Sequence, residues 1–132
     1  MTTVEIYHHP RCSKSRATLA LLQERHIAIT IIEYLKQPPS ATQLDALLDK
    51  LTMEPMDLMR RGEDVFKEQV QGQDLTRDAL LAIMVANPIL IERPIVVCGD
   101  KAAIGRPPEA VLSMLGGCPT IETVARDSHF EL

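Results

Sequence analysis

The chain has 132 residues, 45% hydrophobic and 24% charged, with a formal net charge of -4 at pH 7. That length can bury one core without disulfide staples and falls short of two ordinary domains, and the composition excludes extensive disorder. The acidic balance excludes a general attraction to nucleic acid, and no window is apolar enough to span a bilayer, so a cytoplasmic protein working away from membranes is expected.

Val4 to Tyr7 is a short β-type run, stopped by His8, His9 and Pro10 and followed after Cys12 by a helical pattern. Within Ser15 to Glu24, Ala17, Leu21 and Leu22, with Leu19 and Ala20 nearby, recur at helical spacing and predict a core-facing stripe. His26 to Tyr34 is rich in β-branched residues and reads as a second strand, parallel to the first because a helix joins them.

Pro38 and Pro39 break the chain, and Ser40 is placed to cap a helix with Leu44, Leu47, Leu48 and Leu51 on one side. Pro55 starts a short helix through Met59, Glu63 to Asp74 reads as a loop with a helical turn, and Thr76 caps a helix from Arg77 to about Ala86. Ile95 to Val97 and Ala102 to Ile104 flank the turn signal Gly99-Asp100 and predict an antiparallel hairpin. Pro107 and Pro108 stand where a final helix over Glu109 to Leu115 would start, before Gly116 and Gly117 end it.

The order is thus β-α-β, helices, β-β-α. It predicts an α/β, thioredoxin-like fold with about four strands in a mixed sheet. Residues 1–115 are expected to form a single domain with a helical insertion at about 40–86, and 116–132 a polar tail.

Cys12 lies between the first strand and its helix. A helix N-terminus presents N–H groups without intrahelical partners and a positive dipole end, and Arg11, Lys14 and Arg16 add positive charge. Such surroundings lower a thiol from a pKa of about 8.5 into the range of roughly 3.5–7.5. The same N–H groups can hold an oxyanion beside the sulfur.

Arg93, Arg106 and the Arg60-Arg61 pair supply planar donor forks near element ends, suited to tetrahedral oxyanions. His8 is close enough in sequence to tune the thiol. Cysteines at 12, 98 and 118 match no CxxC pair or zinc cluster, and no HxH or HExxH occurs, so reduced thiols and no metal are expected.

The runs YHHPRCSKSR, Glu33-Tyr34-Leu35 to Pro38-Pro39, Leu58-Met59-Arg60-Arg61, Asn87 to Val97 and Gly105-Arg106-Pro107-Pro108-Glu109 together resemble the glutaredoxin-coupled arsenate reductase family over about residues 3 to 115. The resemblance implies Cys12 as nucleophile, with His8 and Ser15 assisting its thiolate. It also implies Arg60, Arg93 and Arg106 as oxyanion-binding arginines, and Pro94 as a cis-proline beside the active loop. It further implies arsenate as substrate, no bound cofactor, glutathione as co-substrate and glutaredoxin as partner. His9 stands where the well-known members have asparagine, and the Gly99-Asp100 hairpin is shorter than theirs, as in one subgroup.

Three other readings compete. A low-molecular-weight phosphatase loop needs arginine six positions after its cysteine, and that position is Thr18. A transcriptional regulator of this fold that binds RNA polymerase would carry a CxxC switch, which Ser15 removes. A thiol reductase for another substrate shares the same loop chemistry.

Overall fold

In the computed structural model of the chain, residues 4–25, 27–113 and 115 are described, so His26, Cys118 and the tail at 116–132 lie outside the described residues. The backbone gathers into two compact units: one built from residues up to Ile32 and from Arg93 onward, the other from Glu33–Glu92.

The first unit carries the sheet. Strand β1, Val4–His8, buries alternate residues Val4, Ile6 and His8, as a strand with one core-facing side should. It runs one residue past the expected end because His8 continues the inward alternation. Helix α1, Ser13–Glu24, follows, and then β2, Ile29–Glu33, which is shorter than its β-branched run implied. β3, Ile95–Cys98, is buried along its whole length, and β4, Lys101–Ile104, returns antiparallel to it. The turn between them places Gly99 at φ +63°, a conformation glycine adopts without Cβ strain.

The strand order is β2-β1-β3-β4, with β1 antiparallel to β3, in a mixed sheet. Its core combines Val4, Ile6, Leu22, Ile27, Val96, Cys98 and Val111. Each large apolar side chain fully buried there contributes about 1.5–3 kcal/mol relative to exposure.

The α1 stripe differs from expectation. Ser15, Thr18 and Leu22 are buried, while Ala17 and Ala20 are exposed. Hydrophobicity pointed to the wrong side of the first two turns because small hydroxyl side chains occupy the inner face there.

The final helix also differs. In place of an α-helix over 109–115, the chain makes a 3-10 turn at Pro108–Val111. The chain closes i→i+3 bonds there: the Ala110 N–H donates to Pro107 O at 2.9 Å and the Leu112 N–H to Glu109 O at 3.0 Å.

The second unit is helical: α2, Ala41–Leu51; α3, Pro55–Leu58; α4, Asp64–Gln69; α5, Arg77–Ala86; and a 3-10 turn at Pro88–Leu90. Ser40 caps α2 in a reciprocal box. The Gln43 N–H donates to Ser40 Oγ at 3.1 Å and the Ser40 N–H donates to Gln43 Oε1 at 2.9 Å. Thr76 Oγ1 accepts the Ala79 N–H at 3.1 Å to start α5. Leu44, Leu47, Leu48, Leu58, Leu81 and Met84 line the packed faces of α2, α3 and α5.

This is the α/β thioredoxin-like arrangement. Among the described residues, no helix is long and apolar enough to cross a membrane.

Candidate active site

The sheet register brings three chain segments to one end of the first unit. Tyr7 pairs with Ile95 and Ile95 with Ile104, so the loop after β1, the segment before β3 and the segment after β4 all emerge together. They carry Cys12, Arg93-Pro94 and Gly105-Arg106. Both the Arg93-Pro94 and the Arg106-Pro107 bonds are cis; the first agrees with the sequence resemblance and the second was not foreseen.

Cys12 is the N-cap of α1, with extended backbone at φ -90° and ψ 123° and no side-chain capping bond. Its own N–H donates to His9 O at 3.0 Å, closing a turn, and its carbonyl accepts the Arg16 N–H at 3.0 Å to begin the helix. The sulfur is therefore held beside the first helical N–H groups.

Burial pushes the Cys12 thiol up. The Ser15 N–H, the Arg93 side chain, the Lys14 N–H and the charge of Arg106 all oppose this and prevail, holding Cys12 below its ordinary pKa. Arg106 Nη2 lies 3.5 Å from Cys12 Sγ, while Arg106 Nε donates to the Arg93 carbonyl at 2.7 Å. One guanidinium thus meets the sulfur and the backbone of the other arginine.

Ser15 reaches the sulfur through its backbone N–H. Its buried hydroxyl lies 2.6 Å from His8 Nδ1 and accepts the His9 N–H at 3.0 Å. His8 and Ser15 consequently brace the loop from inside the unit. Of the basic residues expected to help by charge, Arg16 is engaged with the Pro10 carbonyl at 3.0 Å, and Lys14 contributes through its N–H.

Arg60 belongs to the second unit. Its N–H donates to Leu90 O at 2.7 Å, its Nη1 pairs with Glu92 Oε1 at 2.9 Å, and its Nε is buried with no hydrogen-bond partner among the described residues. Glu92, within the run from Asn87 to Val97, was not singled out from the sequence as the partner of Arg60.

The expectation of three reduced thiols is corrected. Cys12 is free, whereas Cys98 is disulfide-bonded. Cys98 pairs with Val4 in the β1–β3 ladder, three residues along β3 from the Ile95–Tyr7 pair, which places it roughly 10 Å farther from the Cys12 end of the sheet. It is not built to resolve a bond at Cys12.

The arrangement favours the thiolate form of Cys12 and can hold a tetrahedral oxyanion between helix N–H groups and guanidinium forks. The model of the ArsC family matches residues 7–114. The chain is 50% identical over 115 residues to YfgD, an uncharacterized protein of Escherichia coli strain K12, covering 86% of this chain and 97% of that one. It is 43% identical over 117 residues to an arsenate reductase of Neisseria meningitidis serogroup A, covering 87% of this chain and all of that one. A solved arsenate reductase from Vibrio cholerae superposes with a TM-score of 0.83 at 49% identity, covering 86% of this chain and 98% of that one.

Proposed function

The chain belongs to the ArsC family, and from that membership we propose that it is an arsenate reductase, an oxidoreductase that draws its electrons from glutathione and glutaredoxin. The observation that carries the reading is Cys12 at the start of α1, its sulfur facing the N–H groups of Ser15 and Lys14 and the side chains of Arg93 and Arg106.

In this reading arsenate sits against Arg93 and Arg106, and the Cys12 thiolate attacks arsenic. An As–O bond breaks as the S–As bond forms, and the departing oxygen leaves as water after protonation. Glutathione displaces a second oxygen through its thiol. A glutaredoxin thiolate then attacks the glutathione sulfur, giving a mixed disulfide and leaving the electron pair on arsenic, which passes from As(V) to As(III). Hydrolysis of the remaining S–As bond releases arsenite and frees Cys12.

An outside thiol is required in this scheme because Ser15 holds the place of a neighbouring resolving cysteine and the register keeps Cys98 at the other end of β3. Glutathione and glutaredoxin are kept reduced in the cytoplasm, where we place the reaction. The retained arginine set and the missing CxxC switch favour catalysis over a regulator that binds RNA polymerase.

The reading is tested by arsenate reduction with glutathione and glutaredoxin, in the native chain and in Cys12→Ser and Arg93→Ala. Turnover that needs both thiol donors and is lost in both variants is the expected result. No turnover by the native chain would overturn the reading, and turnover with thioredoxin in place of glutaredoxin would overturn the electron source.

A further inference from the structure

Thr18 is fully buried in the second turn of α1, within the face that sequence hydrophobicity did not mark as inner. Its hydroxyl donates to the Lys14 carbonyl at 2.8 Å and lies 3.5 Å from the Gly105 carbonyl. A Cβ built at Gly105 would collide with the Thr18 Oγ1 and Cγ2 atoms and with the Pro94 ring, so Thr18 and Pro94 close over the same face of Gly105. The Gly105 N–H in turn donates to the Pro94 carbonyl at 2.9 Å.

Each group Thr18 meets is joined to a residue that faces the sulfur. Lys14 supplies one of the N–H groups on Cys12, Gly105 precedes Arg106, and Pro94 follows Arg93. A single side chain therefore stands between the helix start and the two segments that carry the guanidiniums.

We propose that Thr18 is a positioning residue which sets the spacing of Arg93, Arg106 and the first α1 N–H groups around Cys12. The proposal rests on the reading of Cys12 as the nucleophile. A threonine hydroxyl bonded to the carbonyl four residues earlier is common in helices, and by itself would affect only helix stability. The contact with Gly105 distinguishes the two roles. A hydroxyl fits where the larger methyl of valine would press Gly105 outward, carrying Arg106 away from Sγ.

The test compares Thr18→Val, Thr18→Ser and Thr18→Ala with the native chain, reading the pH profile of Cys12 alkylation by iodoacetamide and the separate kcat and KM for arsenate. For Thr18→Val the profile is expected to move to higher pH, with alkylation at neutral pH slowed about three- to tenfold. KM for arsenate should rise about tenfold. Thr18→Ser retains the hydroxyl and should stay within about twofold of native; Thr18→Ala removes the hydroxyl set between the Lys14 and Gly105 carbonyls without adding bulk and should move the profile the same way by a smaller amount, which keeps the test open if the valine variant fails to fold.

Variants with a lowered Tm but a native alkylation profile would reduce Thr18 to helix stabilisation and overturn the proposal. A shifted profile in a chain that shows no arsenate turnover would uphold the proposal and reject the arsenate reading.

Discussion

Arg106 and Arg77 carry the same side chain in the two units and use it in opposite ways. Arg106 donates to a backbone carbonyl and to the Cys12 sulfur. Arg77 donates to carboxylates: its Nη2 lies 2.7 Å from Asp45 Oδ1 and 3.9 Å from Asp49 Oδ1, and its Nη1 lies 3.2 Å from Glu54 Oε2. A guanidinium held by carboxylates ties the start of α5 to α2 and to the start of α3. One oriented by a carbonyl toward a thiolate is set up to meet an anion.

The contrast makes a sharp demand on function. Arg106→Ala should cut kcat/KM for arsenate by about a hundredfold or more, the scale seen when an oriented donor to developing charge is removed, and should slow Cys12 alkylation near neutral pH. Arg77→Ala should leave both unchanged. Steady-state kinetics on the two variants decides the matter, and equal losses would erase the distinction between the units.

Stability should show the reverse order. Arg77→Ala is expected to lower Tm, with a smaller loss in 1 M salt because its carboxylate partners are exposed and screened. A thermal melt at low and high salt checks this.

The pH dependence of stability should separate the units further. Cys12 has a folded pKa below its unfolded value, so between the two the unfolded chain holds the extra proton and stability rises with pH. The contribution is complete above the unfolded thiol value and is lost as pH falls through the folded one. The native chain should therefore gain on Cys12→Ser as pH rises through that window, whereas Arg77→Ala should keep a constant offset there. Denaturant unfolding at several pH values measures both.

The smallest expected effect lies at the end of α2, where Thr52 adopts φ 58° and ψ 46°, the left-handed region that β-branched residues avoid. Thr52→Gly should raise stability by up to about 1 kcal/mol without touching turnover, as read from its unfolding curve.

Much of the fold was legible because its signals are local. Ser40 and Thr76 announced their helices through hydroxyls that need only the next three residues, and Gly99-Asp100 announced its hairpin in two. Cys12 was legible for the same reason, since helix-end chemistry belongs to adjacent residues.

What stayed hidden is set by pairing at long sequence separation. Arg106 finds the Arg93 carbonyl, Arg60 finds Glu92, and Thr18 finds Gly105 only after the strands and loops are in register. The inner face of α1 was misread because Ser15 and Thr18 are buried for their small size and hydroxyl bonding, which a hydrophobic stripe does not record. The disulfide at Cys98 stayed hidden because cysteine spacing alone does not carry it.

The central claim is that the start of α1, together with Arg93 and Arg106, holds the Cys12 thiol below its ordinary pKa. It is tested most directly by titrating the ultraviolet absorbance of the thiolate in the native chain, with Cys12→Ser as the difference reference. The account predicts a difference signal whose midpoint lies below that of an ordinary thiol and moves upward in Arg106→Ala; a midpoint at or above the ordinary value would contradict it.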